Sequence, residues 1–237
     1  MPKCQFTAKY YDYDYETRNS VDFNCQELPL VSGFCIFHDK DYLQDKTNND
    51  EHKRTVLNRL KRKVKHAISD NEPLLCIGFQ LPDSSLSDLG IISKEFTKPV
   101  YFSRSQFFGK ANFSGANFQG ETSFNNTNFQ GEADFSGANF KGGVHFYETN
   151  FKTGEAEFHG CGFYDRTYFS GQFNSKMKFE YILFEGKEKV IIDTVNLSNV
   201  SFVNTDLTGV RFSDKARWGN VEYDKFWGGK KATEGKF

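Results

Sequence analysis

Three cysteines and a histidine before residue 40, namely Cys4, Cys25, Cys35 and His38, are the side chains of this sequence best suited to inorganic chemistry. Thiolate and imidazole are ligands that tetrahedral Zn²⁺ favours, and Cys35-Ile36-Phe37-His38 puts two of them on one tight loop. Four protein ligands leave no open position for a catalytic water, so a zinc ion held there is structural. The same residues also read as three small buried thiols and a surface histidine. The other two cysteines are simpler: Cys76 lies in the apolar run 74–79, and Cys161 sits at an inward position of the repeats described next.

From residue 102 the chain repeats itself. Phenylalanine recurs at 102, 107, 113, 118, 124, 129, 135, 140, 146 and 151, alternately five and six residues apart, a super-period of eleven. The series runs on to Phe184 with two exceptions, a seven before Phe158 and a four before Phe173. Strict fives return at Leu197, Phe202, Leu207 and Phe212. Two positions before nearly every large residue stands a compact or β-branched one, as in Ala111, Ala116, Thr122, Thr127 and Ala133. That pairing suits a short extended segment with both ends of its inward face buried. The residues that follow, Ser-Gly, Gln-Gly, Lys-Gly or Asn-Asn, are turn formers. A short strand plus a corner is too brief for a helix or hairpin; it makes one side of a coil.

In this grammar the chain resembles the pentapeptide-repeat family, whose usual phrase is Ala-(Asp/Asn)-(Leu/Phe)-X-X. Ala116-Asn117-Phe118-Gln119-Gly120 matches it residue by residue, and the resemblance spans 102–212. It implies a mainly β fold: a right-handed, four-sided β-helix with the Phe or Leu and the compact residue pointing inward. Twenty phrases at four per coil give about five coils, and at ~4.8 Å per rung a rod of roughly 24 Å. The six-residue spacings should bulge at alternate corners. The resemblance also gives the first residues a role. Cys4, Cys25, Cys35 and His38 map onto the Cys…Cys…Cys-x-x-His zinc module that precedes the repeats in many such proteins. In that module the first two cysteines are a few residues apart. Here twenty residues, including the acidic, tyrosine-rich 10–16 stretch, separate Cys4 from Cys25.

Between module and repeats, residues 50–69 read as an amphipathic helix with Val56, Leu57, Leu60, Val64, Ala67 and Ile68 on its apolar face, capped by Asn49 or Asp50. Its outer face carries Lys53, Arg54, Arg59, Lys61, Arg62, Lys63 and Lys65 against Glu51. This basic patch is a solvated face or an anion contact. The helix is expected to plug the open end of the rod, together forming a small α+β cap over 1–100 that precedes the β-helix of 101–212. Residues 81–97 read as a loop, and 185–194 as a protruding loop or a change of register. In the tail, 213–237, Trp218, Tyr223, Phe226 and Trp227 are expected to cap the last coil.

The formal charge of −1 does not suggest a nucleic-acid binder or a membrane-surface protein. No apolar run reaches the length of a membrane span, and the polar start lacks a secretion signal. Irregularly spaced cysteines in that context point to a reducing, cytoplasmic setting. The sequence offers no phosphate loop, nucleophile elbow or HExxH, and His52, His66, His145 and His159 show no evident partner in the sequence. The reading is a non-catalytic scaffold that docks a protein partner through the rod. The resemblance supplies an alternative, imitation of B-DNA at a topoisomerase, as in quinolone-protection members. That requires a strongly acidic rod, whereas 102–212 holds 12 acidic and 10 basic residues. A third reading is a nucleic-acid adaptor using the basic helix 51–69.

Overall fold

The computed structural model describes residues 2–14, 17–39, 41, 49–83, 91, 93–173, 176–185, 190–193, 197–198, 200–208, 210–214 and 216–217. From residue 74 it is a four-sided solenoid of parallel, stacked two-residue strands, preceded by a hairpin and one helix. The hairpin joins β1 (Thr7–Asp14) to β2 (Thr17–Asn24), and the helix is α1 (Asn49–Ser69).

Each side of the rod is a ladder whose rungs lie one coil apart, most often 22 residues. On side one, Val100 pairs with Thr122 and Thr122 with Val144; on side three, Ala111 pairs with Ala133. Two phrases of five plus two of six make this coil, so the super-period of eleven is half a turn. Among the described residues sides three and four each carry five strands. Sides one and two share a sheet because the segments Val144–Phe151 and Thr167–Phe173 stay extended round the corner between them.

The inward phenylalanines form four stacks. On side three Phe113, Phe135, Phe158 and Phe179 lie face over face, 4.7–4.9 Å between successive ring centres. Phe102, Phe124, Phe146 and Phe169 do the same on side one, and neighbouring stacks meet edge to face, as Phe113 meets Phe124. Such geometry suits the ring quadrupole, negative on its face and positive at its edge. The compact residue two before each phenylalanine takes the remaining space. On side two it is polar: Ser105, Thr127 and Thr149 turn their hydroxyls to the carbonyls of Cys76, Phe102 and Phe124 in the preceding turn, at 2.5–2.8 Å. Cys161 plays this part on side four, its thiol 2.9 Å from the Phe135 carbonyl.

The corners alternate, as the spacings required. At the five-residue corners one residue is left-handed, in two columns: Arg104, Asn126 and Glu148 in one, Gly115, Gly137 and Gly160 in the other. The six-residue corners are looser bends in which glycines stack. A Cβ on Gly131 would lie 2.5 Å from the Gly109 carbonyl carbon one coil below. The four-residue step before Phe173 is absorbed by a register shift between Phe146 and Thr149, where Glu148 is the extra residue against the next coil.

Three expectations change. Residues 190–193, placed in an interruption, form a rung of side one, with Ile192 opposite Phe169 where the pattern has phenylalanine. Within the presumed loop 81–97, Phe96 belongs to a strand, Glu95–Phe96, and stacks on Phe118 at 5.4 Å. With Leu74–Leu75 and Gln80–Leu81 pairing onto Val100–Tyr101 and Gln106–Phe107, the ladders start well before the first regular phrase. Finally, Ile68 is exposed although Val56, Leu57, Leu60 and Val64 are buried. At 3.6 residues per turn it lies about 80° round from Leu60, on the shoulder of the apolar stripe. Residues 84–90 and 186–189 and the aromatic tail from Trp218 onward lie outside the described residues.

The helix packs on the strands at 74–75, 80–81 and 95–96, which form the first edge of the ladders. Phe135, fully buried between Phe113 and Phe158, tests the inward assignment. Phe135→Ala is expected to cost ~3–5 kcal/mol in chemical denaturation, as Phe-to-Ala core truncations do. Outward Asn139→Ala should leave the midpoint nearly unchanged; similar losses at both sites would contradict the arrangement.

Candidate metal centre

The twenty residues between Cys4 and Cys25 are closed by the hairpin. Thr7 pairs with Asn24 in a register that runs without slip to Asp14 and Thr17, so the residues just outside its two ends are neighbours. The Cys25 amide donates to the Phe6 carbonyl (3.1 Å) and the Cys4 amide to the Glu27 carbonyl (3.0 Å). Tyr, Thr, Val and Phe favour extended backbone, and the alternation of tyrosine with aspartate over 11–14 was the available signal. It lacks the Asn-Gly or Asp-Gly turn that marks a hairpin most clearly.

Cys35 and His38 are brought together locally. The amides of His38 and Asp39 both donate to the Cys35 carbonyl at 2.9 Å, winding 35–39 into a tight turn. Phe37, within that turn, stacks on Phe79 at 4.1 Å, and its carbonyl accepts from the Gln80 amide (2.7 Å), which seats the loop on the first edge of the rod. The ligand atoms of Cys4, Cys25, Cys35 and His38 all lie within 4.8 Å of one another, and all four residues are buried. His38 is therefore not a surface histidine; it is 5 % exposed.

Several features fit this set to a metal ion. His38 Nε2–H donates to the Ile77 carbonyl at 2.8 Å, which leaves Nδ1 as the ring's lone-pair nitrogen. Nδ1 lies 3.2 Å from Cys35 Sγ and 3.6 Å from Cys4 Sγ, and the Cys25 and Cys35 sulfurs are 3.7 Å apart. With Zn–S near 2.3 Å and Zn–N near 2.0 Å, the edges of a tetrahedron are about 3.5–3.8 Å, close to these separations. The Cys35 amide points at Cys4 Sγ (3.2 Å), a donor suited to a thiolate. Phe6 stacks flat on the His38 ring at 3.8 Å and Phe79 meets it edge-on, fixing its plane. The hydrogen bond from the Cys35 thiol lowers Cys25 to about 4, while that bond and burial push Cys35 far up.

Cys76 and Cys161 stay out of the cluster. Both are fully buried, and burial raises each thiol, Cys76 to about 12. They are inert core residues by this chemistry.

Glu27, which sequence reasoning passed over, ties the cluster to the helix. Its carboxylate accepts from Lys63 at 2.7 Å and lies 3.6 Å from Arg59. Two of the seven cations assigned to the outer face of α1 thus turn toward the N-terminal loop. For Lys63 burial works against the charge, but the bond to Glu27 prevails and its pKa is raised.

A family model described as pentapeptide repeats, nine copies, matches residues 102–150 and again 124–171, all within the coils. The rod is a pentapeptide-repeat solenoid. Comparison with curated proteins and with solved structures yields no match. The Cys/His cluster stands at the N-terminal edge of this solenoid, held to it through Ile77, Phe79 and Gln80.

Cysteine ligates as thiolate, so metal affinity must fall with acid as protons compete for sulfur. Native mass spectrometry at neutral pH is expected to give one zinc per chain, lost on acidification and in Cys35→Ser and His38→Ala. A folded chain that retains no metal at neutral pH would reduce the cluster to core thiols.

Proposed function

We propose that this chain is a non-catalytic scaffold: a pentapeptide-repeat rod that docks a protein partner on its outer sides, closed at its N-terminal end by a structural zinc module and α1. The observation that carries the reading is the use of the interior. All four inward columns are committed to stacked phenylalanines and compact residues, so variation falls on outward columns held rigid by the coils. Zinc at Cys4, Cys25, Cys35 and His38 would join the hairpin to the Cys35–His38 turn. A four-ligand ion adds folding energy and offers no open position. Five unpaired, buried thiols support a reducing, cytoplasmic setting. Among the described residues no helix is long and apolar enough to cross a membrane.

The charge pattern weighs against imitation of DNA. On side three, where Glu132, Asp134, Glu155 and Glu157 gather, Lys110 pairs with Glu132, and Lys178 sits 2.6 Å from Glu155 and 2.5 Å from Glu157. Those bonds raise the Lys178 pKa, so the carboxylates come with their own cations. The adaptor reading loses Arg59 and Lys63 to Glu27.

Purified chain is expected to leave gyrase supercoiling unaffected, and strong inhibition would favour the mimic instead. For docking, a photo-crosslinker at Asn128 or Asn139, on outward columns, should capture one discrete partner in cells. Arg at a neighbouring outward position should abolish capture with no change in thermal midpoint. Capture indifferent to every outward substitution would sink the scaffold reading.

A further inference from the structure

One side of the rod is covered. On side one the outward residues of three successive rungs, Tyr101, Ser123 and His145, are 2 %, 0 % and 6 % exposed. Their counterparts on side two, Gln106, Asn128 and Asn150, are half-buried, as are Asp134 and Glu157 on side three, where Asn112 is buried beside its bond to Asp134. The hairpin meets side one: the Tyr10 ring lies 5.3 Å from Tyr101, and Arg104 Nε donates to the Lys9 carbonyl at 3.0 Å. Strands of eight residues reach about 26 Å, enough to pass several rungs at ~4.8 Å each. Further along side one lie polar groups: Glu121, whose carboxylate is 3.6 Å from His145 Nε2, and Ser123, paired with His145 on the next rung.

A two-stranded hairpin is marginal in water by itself. The cross-strand pair Lys9–Asp22, at 3.8 Å and well exposed, contributes little to this one. Its position then depends on its contacts with Tyr101 and Arg104 and on its base, where Cys4 and Cys25 stand just outside the two strands and Phe6 lies on His38. We propose that the β1–β2 hairpin is a strap over side one, latched by the metal at its base. With metal bound it covers Tyr101, Ser123, Glu121 and His145; loss of the metal frees it and uncovers that side. The latch rests on the zinc reading above, while the cover itself does not.

Diethyl pyrocarbonate, which acylates accessible histidine, can report on the strap in the full chain, with peptides read by mass spectrometry. His145 is expected to be protected in the zinc-loaded chain and labelled several-fold faster after chelation, while His159, whose side chain is 54 % exposed, changes little. Circular dichroism should show the coils intact. Tyr10→Ala, which removes the contact with Tyr101, should raise His145 labelling with one zinc still bound; it decides the matter if chelation disrupts the coils. Binding of zinc with His145 equally protected before and after its removal overturns the latch alone. Unchanged protection in Tyr10→Ala overturns the strap. A chain that takes up no zinc defeats the metal reading and the latch with it.

Discussion

The fold depends on matching each coil to the next. A strand of two residues cannot satisfy its own backbone, so its amides and carbonyls must find partners one coil above and below. The bonds run accordingly, Phe102 amide to Ser123 carbonyl and Phe124 amide to His145 carbonyl, both 2.8 Å. This works only if successive coils have nearly the same path length, which is why the phenylalanine spacing is so regular. The same registry puts ring over ring, so backbone pairing and core packing reinforce one another. Departures are local and compensated: the bulge at Glu148 absorbs one residue without breaking the stack of Phe146 on Phe169.

A solenoid built this way has two raw edges. At the N-terminal one, unpaired strand groups and the faces of the first aromatic rings would invite association. The chain covers that edge with α1, through Val56, Leu57, Leu60 and Val64, and with the Cys35–His38 turn, whose Phe37 extends the aromatic stacking beyond Phe79. The Cys/His cluster therefore belongs to the closure of the rod. Ile77 and Phe79, which hold the His38 ring, are part of the first turn. Glu27 completes the arrangement by holding Lys63 and Arg59 from the loop beside the cluster. The Cys/His cluster, helix and rod are consequently one packed unit at that end, and the Cys35–His38 loop does not stand apart as a separate finger.

Much of this was legible in residue order because the repeat is a local code. Ala-Asn-Phe followed by a turn former says which side chain faces in, where the corner falls and how many residues make a side, and stacking copies is the physical way to bury such faces. The code fails where another residue does the same job. Ile192 fills a phenylalanine place, and Phe79, Leu81 and Phe96 build the first turn outside the regular spacing. Nor could one column be told from another: Thr127 and Thr149 occupy the compact position like Ala133, yet they bond to carbonyls of the coil below.

By itself the sequence determined the repeated strand and corner, the inward residues and a helix with one apolar face, since each follows from spacing within a few dozen residues; four sides to a coil came from the family resemblance. It also named four residues with zinc-ligand chemistry. Only the tertiary structure decided that they meet. Cys4 and Cys25 come together because the strands between them pair along their whole length, and His38 is buried because Ile77 accepts its Nε2–H. Tertiary structure likewise decided that two cations of α1 turn to Glu27, and that His145 is buried beside Glu121 while His159 remains exposed. These are contacts between segments far apart in the chain, and no local period encodes them.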